Sequence, residues 1–168
     1  MSERLALLKP LIADAMTHAM AIQQCEQRAA DSVQQVLERA LTVTDMPTDK
    51  HQLKAWLLRA VHNAAIDVIR RQRKEQGLGG EDYEQQAPTM IEPEHQFETW
   101  QTQQMVRMAL QKLPIEQREI IVLREINGCS YADITQIMQL EQGTVMSRLH
   151  RARLALKQVL ETLQRGEK

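Results

Sequence analysis

Residues 130–156 read SYADITQIMQLEQGTVMSRLHRARLAL, two helical patterns joined by a tight break, the second carrying a stripe of basic side chains. Ser130 can cap the first helix, and Asp133 can reach back to the cap amide, standing in the Glu place of a capping box. Ile134 and Ile137 give that helix a buried side. Gln139 to Gln142 form the expected turn, and Gly143, Thr144 and Val145 open the second helix. Along it Val145, Leu149, Ala152 and Leu156 recur at helical period and define an apolar stripe. The same period turns Thr144, Ser147, Arg148 and Arg151 outward together.

A helix with that outward set fits a DNA major groove. Arginine supplies bidentate donors to guanine edges and phosphates, and the short hydroxyls of Ser and Thr fit against either. The plain alternative is a helical hairpin with a solvated basic face, since this periodicity is cheap to produce by chance. The density of Arg148, Arg151 and Arg153 beside Thr144 and Ser147 favours DNA. By position, Arg153 and Lys157 belong to the phosphate backbone or to solvent rather than to base recognition.

Upstream, residues 54–74 read KAWLLRAVHNAAIDVIRRQRK, a long amphipathic pattern with Leu57, Val61, Ala64 and Val68 on its packed face. It closes on Arg70, Arg71, Arg73 and Lys74 and carries a single acid, Asp67. So asymmetric a run attracts polyanions, although solvated basic helix ends also occur without such partners. Asn63 places a donor and an acceptor mid-helix, where propensity does not favour it.

Between these basic elements the charge reverses. From Glu75 to Val106 there is no lysine or arginine, while Glu75, Glu81, Asp82, Glu84, Glu92, Glu94 and Glu98 accumulate and Gly77, Gly79, Gly80, Pro88 and Pro93 break any long helix. This predicts an acidic, flexible linker over 76–100, between a first domain at 1–75 and a second at 101–168. The net charge of the 168-residue chain is only -1, so the distribution of charge, not its total, carries the argument for nucleic acid.

Ala, Leu, Gln, Glu, Arg and Met fill the long stretches on either side, which predicts an all-α protein of two small helical domains. Leu5 to Ile22 reads as one helix with Pro10 near its start, Asp31 to Ala40 as another, and Gln101 to Lys112 and Ile115 to Ile126 as two more parted by Leu113 and Pro114. Gly128 is the expected C-cap before the basic pair. No apolar run of bilayer length and no signal-peptide core is expected, which points to the cytoplasm. Cys25 and Cys129 stand alone. His18, His51, His62, His95 and His150 have no ligand or catalytic companion nearby in sequence, so no metal, cofactor or catalytic residue is expected. There is no P-loop, HExxH or GxSxG pattern, and enzymatic activity is not expected.

These blocks resemble a known family, the extracytoplasmic-function group of bacterial RNA polymerase sigma factors. Leu113-Pro114, Gln117-Arg118, Leu123, Tyr131, Ile134, Gly143-Thr144-Val145, Ser147-Arg148-Leu149 and Arg151-Ala152-Arg153 look like its fourth conserved region. Trp56-Leu57, Asn63, Ile66-Asp67 and Arg70-Arg71 look like the late part of its second region, and Ala30-Asp31, Val33-Gln34 and Val36 resemble the earlier core-binding helix.

The resemblance implies a first domain that holds the largest catalytic subunit of core RNA polymerase and opens the minus-ten element, and a second that binds the minus-thirty-five element of promoter DNA. It makes Asp31, Gln34 and Gln35 candidates for polymerase contact, and Arg59 and Asn63 candidates for the minus-ten region. Arg70 and Arg71 would meet its phosphates, and Thr144, Ser147, Arg148 and Arg151 would read the upstream element. An anti-sigma protein is a further candidate partner. The loop from Thr42 to Gln52 has no aromatic residue, so contacts to an extruded base would fall to Thr44, Asp45, Thr48 or Asp49. Met146 stands where the family usually has a basic residue, and His62 where it often has arginine. A stand-alone helix-turn-helix regulator with a divergent amino-terminal domain explains 130–156 equally well but leaves 56–71 unexplained. A protein that sequesters a polymerase subunit would keep the helices without binding DNA.

Overall fold

The computed structural model describes residues 2–77 and 97–166, and side chains within the second stretch from Gln101 onward. It is all-α, two helical regions in contact. Gly79, Gly80, Pro88, Pro93 and most of the acids assigned above to a linker lie outside the described residues, and helix already begins within the expected linker, at Phe97.

The first region comprises α1 (Ser2–Leu8), α2 (Ile12–Gln23), α3 (Glu26–Thr42) and α4 (Lys50–Glu75). The single helix expected from Leu5 to Ile22 is broken by a 3-10 turn at Lys9–Leu11 that contains Pro10. Proline has no amide to donate and its ring crowds the preceding turn, which accounts for the break. By length and composition Ser2–Gln23 does pass for a membrane span, with a mean hydropathy of 1.3, contrary to expectation. Here Leu8, Leu11, Ala15, Ala19 and Ile22 are buried against protein, while Leu5 and Leu7 are exposed. Val33, Val36 and Ala40 of α3 and Leu53, Leu57 and Val61 of α4 complete that core. Asp49 caps α4 by accepting from the Gln52 amide at 3.0 Å, and buried Met46 pins the loop before it.

The second region comprises α5 (Phe97–Gln111), α6 (Ile115–Ile121) running into a π turn at Val122–Ile126, α7 (Tyr131–Met138) and α8 (Gln142–Gln164). The π turn is capped by Asn127 and followed by Gly128, whose φ of +69° is the left-handed conformation that glycine adopts without penalty. The Ser130–Asp133 capping box forms in both directions, each hydrogen bond being 3.0 Å. Ser130→Ala should cost about 1 kcal/mol, read as a lower urea midpoint with an unchanged slope. Between α7 and α8 the chain turns through Gln139, at φ +56°. Helix α8 begins at Gln142, a residue earlier than the sequence suggests, so Gly143 is ordinary helix.

The two regions share apolar packing. Ala21 and Leu58 lie in the cluster formed by Leu113, Ile120, Leu123, Ile134, Ile137, Val145 and Leu149, while Ile22 and Ala65 pack with Ile115.

Candidate nucleic-acid interface

Helix α8 sorts its side chains by the period read in the sequence. Val145, Leu149 and Ala152 are buried and Leu156 is half-buried. Ser147 and Arg151 are exposed, and Thr144 and Arg148 half-buried beside them. The Ser147 hydroxyl donates to the Thr144 carbonyl at 3.2 Å. Arg148 Nη1 lies 3.8 Å from the exposed Glu116 carboxylate, a contact weak enough to exchange for a phosphate. Arg153 is committed elsewhere: its guanidinium donates to Glu125 at 2.6 and 3.2 Å, which raises its proton affinity. Met146 is exposed, so an apolar thioether sits beside the polar set.

On α4, Arg59, Asn63, Arg70 and Arg71 are all exposed. At about 100° per residue Arg59, Asn63 and Arg70 fall on one face, with Arg71 around the side. Asp31, Gln34 and Gln35 form an exposed polar stripe on α3, opposite buried Ala29, Ser32, Val33 and Val36. Gln34 also donates to Glu38 at 3.1 Å. In the loop before α4, Thr44, Asp45 and Thr48 are exposed, while Asp49 is occupied as the helix cap.

Sequence reasoning missed the polar ties across the junction of the two regions. Arg118 is buried; its guanidinium donates to the Ala21 carbonyl and, at 2.9 Å, to that of Leu113. Burial lowers it to about 10, opposed by the charge of Glu119. Lys54 reaches the Asn127 carbonyl and lies 3.4 Å from Asp14, and the Asn127 amide donates to Asp14 at 3.1 Å. His51 meets Asp133 at 3.0 Å. Finally, Glu119 accepts from both His18, at 2.8 Å, and His62. Burial alone would raise the Glu119 carboxyl, but hydrogen bonds and charge from the two histidines outweigh it and hold it well below the ordinary value.

A signal for two of these residues was present. His18 falls on the Leu11–Ala15–Ala19–Ile22 stripe, and Glu119 is four residues from both Ile115 and Leu123. A polar group on an apolar stripe must find partners. Arg118→Met removes the buried donors to the Ala21 and Leu113 carbonyls and should cost roughly 2–4 kcal/mol by denaturant unfolding.

Comparison with known proteins places these regions. The Sigma-70 region 2 family model matches residues 7–75, and the Sigma-70 region 4 model matches residues 103–156. The chain is 35% identical over 133 residues to the ECF RNA polymerase sigma factor EcfG of Rhodopseudomonas palustris, covering 79% of this chain and 71% of that one. It is 29% identical over 143 residues to the ECF RNA polymerase sigma factor SigW of Bacillus subtilis, covering 80% and 76%. Among solved structures it is similar to the sigma factor RpoE in complex with the anti-sigma factor NepR from Bartonella quintana. That match has a TM-score of 0.72 and 25% identity, and covers 92% of this chain and 94% of the other.

Proposed function

Since the chain belongs to the ECF RNA polymerase sigma factors of the sigma-70 family, we propose how its two regions divide the work of promoter recognition. As a sigma factor it binds core RNA polymerase and directs transcription initiation, and the phosphodiester chemistry belongs to the polymerase. The exposed stripe of Asp31, Gln34 and Gln35 docks on the polymerase. Arg59 and Asn63 meet the minus-ten element, and Arg70 and Arg71 meet its phosphates. Helices α7 and α8 act as a helix-turn-helix, with Thr144, Ser147, Arg148 and Arg151 in the major groove at the minus-thirty-five element.

The observation that carries this reading is the division of α8. Its reading set is accessible while Val145, Leu149 and Ala152 anchor the same turns in the core, so the helix is presented rigidly. The stand-alone regulator has no account of the region 2 match over 7–75.

Two elements roughly 25 base pairs apart, at about 3.4 Å per pair, are separated by on the order of 80 Å. Packed regions that share a core cannot contact both. Of residues 76–100, which we assign as an acidic tether that avoids DNA, those before α5 begins at Phe97 reach at most about 75 Å when fully extended. The packed arrangement is therefore a closed form that opens on the promoter. A restraining anti-sigma partner fits the same closed form, and the chain acts in the cytoplasm. The test is reconstitution with core polymerase on a promoter library: discrete start sites with paired upstream motifs are expected, and random initiation or none would overturn the reading.

A further inference from the structure

One buried cluster takes no part in reading DNA. His18 on α2, His62 on α4 and Glu119 on α6 each offer a ligand atom, and these atoms lie within 4.8 Å of one another. We propose that this cluster binds a divalent cation of the zinc class, and that the ion clasps region 2 to region 4.

The donor set is the first reason. Two imidazoles and a carboxylate suit zinc, with a fourth position left for water, and the lack of thiolate disfavours softer ions. Charge is the second. Glu119 is buried, and the adjacent Arg118 directs its guanidinium to the carbonyls of Ala21, Ile22 and Leu113 and not to this carboxylate. A buried carboxylate is costly unless a cation meets it, and a dication held between Glu119 and the two imidazoles does so.

Geometry permits the ion. The His18 and His62 rings are nearly parallel, 13° apart with centroids separated by 6.4 Å, and both address the same Glu119 oxygen. Ligand atoms bonded at about 2.0–2.1 Å to a tetrahedral ion lie roughly 3.3 Å apart. His18 Nε2 and Glu119 Oε1 are now at 2.8 Å and His62 Nδ1 stands closer to the same oxygen, so both imidazoles must draw back from the carboxylate to admit it. The His62 side chain keeps 16% exposure while Glu119 has 1%, which gives the ion one route from solvent.

The ligands come from both regions, so the ion binds the closed form and not the separated one. At a free concentration about a hundred times its Kd it favours the closed form roughly a hundredfold. Its consequence for transcription, fewer open molecules competent for the promoter, rests on the function proposed above. The site itself does not.

The experiment uses the full chain stripped with a chelator, with Cys25→Ser and Cys129→Ala removing thiol ligands. Co2+ titration should give one ion per chain with the absorption of a four-coordinate site, and Zn2+ should displace it. Glu119→Gln and His62→Gln should each lower affinity at least tenfold; the second, at a partly exposed position, guards against misfolding of the first. With spin labels at Ala13→Cys and Gln158→Cys, both exposed positions, Zn2+ should sharpen the closed-form distance distribution and EDTA should broaden it. Failure of the chain to bind Zn2+ at micromolar concentration, or equal binding by both variants, overturns the site. Stoichiometric binding with no change in the label distances overturns the clasp. None of these readouts needs transcription, so loss of the sigma function would be seen separately.

Discussion

Alanine at both Arg148 and Arg151 abolishes initiation at promoters that depend on the upstream element, while the affinity for core polymerase stays at its original value. Each bidentate arginine contact contributes about 1–3 kcal/mol. Loss of two therefore lowers promoter affinity by roughly 30-fold to 10⁴-fold, or 2–6 kcal/mol. The fold tolerates the change because Val145, Leu149 and Ala152 hold α8 in the core, and the 3.8 Å contact of Arg148 with exposed Glu116 adds little. The single variants distinguish base reading from phosphate contact. A phosphate contact, when removed, weakens all sequences alike and reduces the salt slope by about one, whereas a base contact relaxes one promoter position. Wild-type transcription from the double variant would remove α8 from promoter recognition.

A covalent lock across the two regions silences the protein. His51 Nε2 and Asp133 Oδ1 are 3.0 Å apart, so His51→Cys with Asp133→Cys, in the Cys25→Ser and Cys129→Ala background, places two thiols within reach of a short bis-maleimide. Promoter-dependent transcription should fall on the order of 100-fold or more on cross-linking, since a span of about 80 Å is then beyond the chain. The uncross-linked variant is the reference, because Asp133 also completes the cap of α7 and its loss costs about 1 kcal/mol. Full activity of the locked protein would mean that closure and promoter binding are compatible.

Local signals were legible in the sequence and long-range ones were not. The Ser130–Asp133 box, the left-handed Gly128 and the buried stripe of α8 each depend on residues within one or two helical turns, so their spacing already fixes the geometry. Pro10 was seen, but whether a proline near a helix start is tolerated or interrupts depends on the neighbouring turns, and here it interrupts. The exposed positions of Arg59, Asn63, Ser147 and Arg151 follow from their helical faces. The closed packing is different in kind. Arg118 reaching the Ala21 carbonyl, and Glu119 between His18 and His62, join residues far apart in the chain. Periodicity can mark such residues as polar groups on buried stripes, but only the tertiary fold identifies their partners.

The most direct test of the account is the distance between labels at Ala13→Cys and Gln158→Cys, measured by pulsed spin resonance in the free chain and again in the polymerase complex on promoter DNA. A narrow distribution in the free chain that lengthens by tens of ångströms on the promoter is the predicted result. An unchanged distribution in a transcriptionally active complex would contradict it.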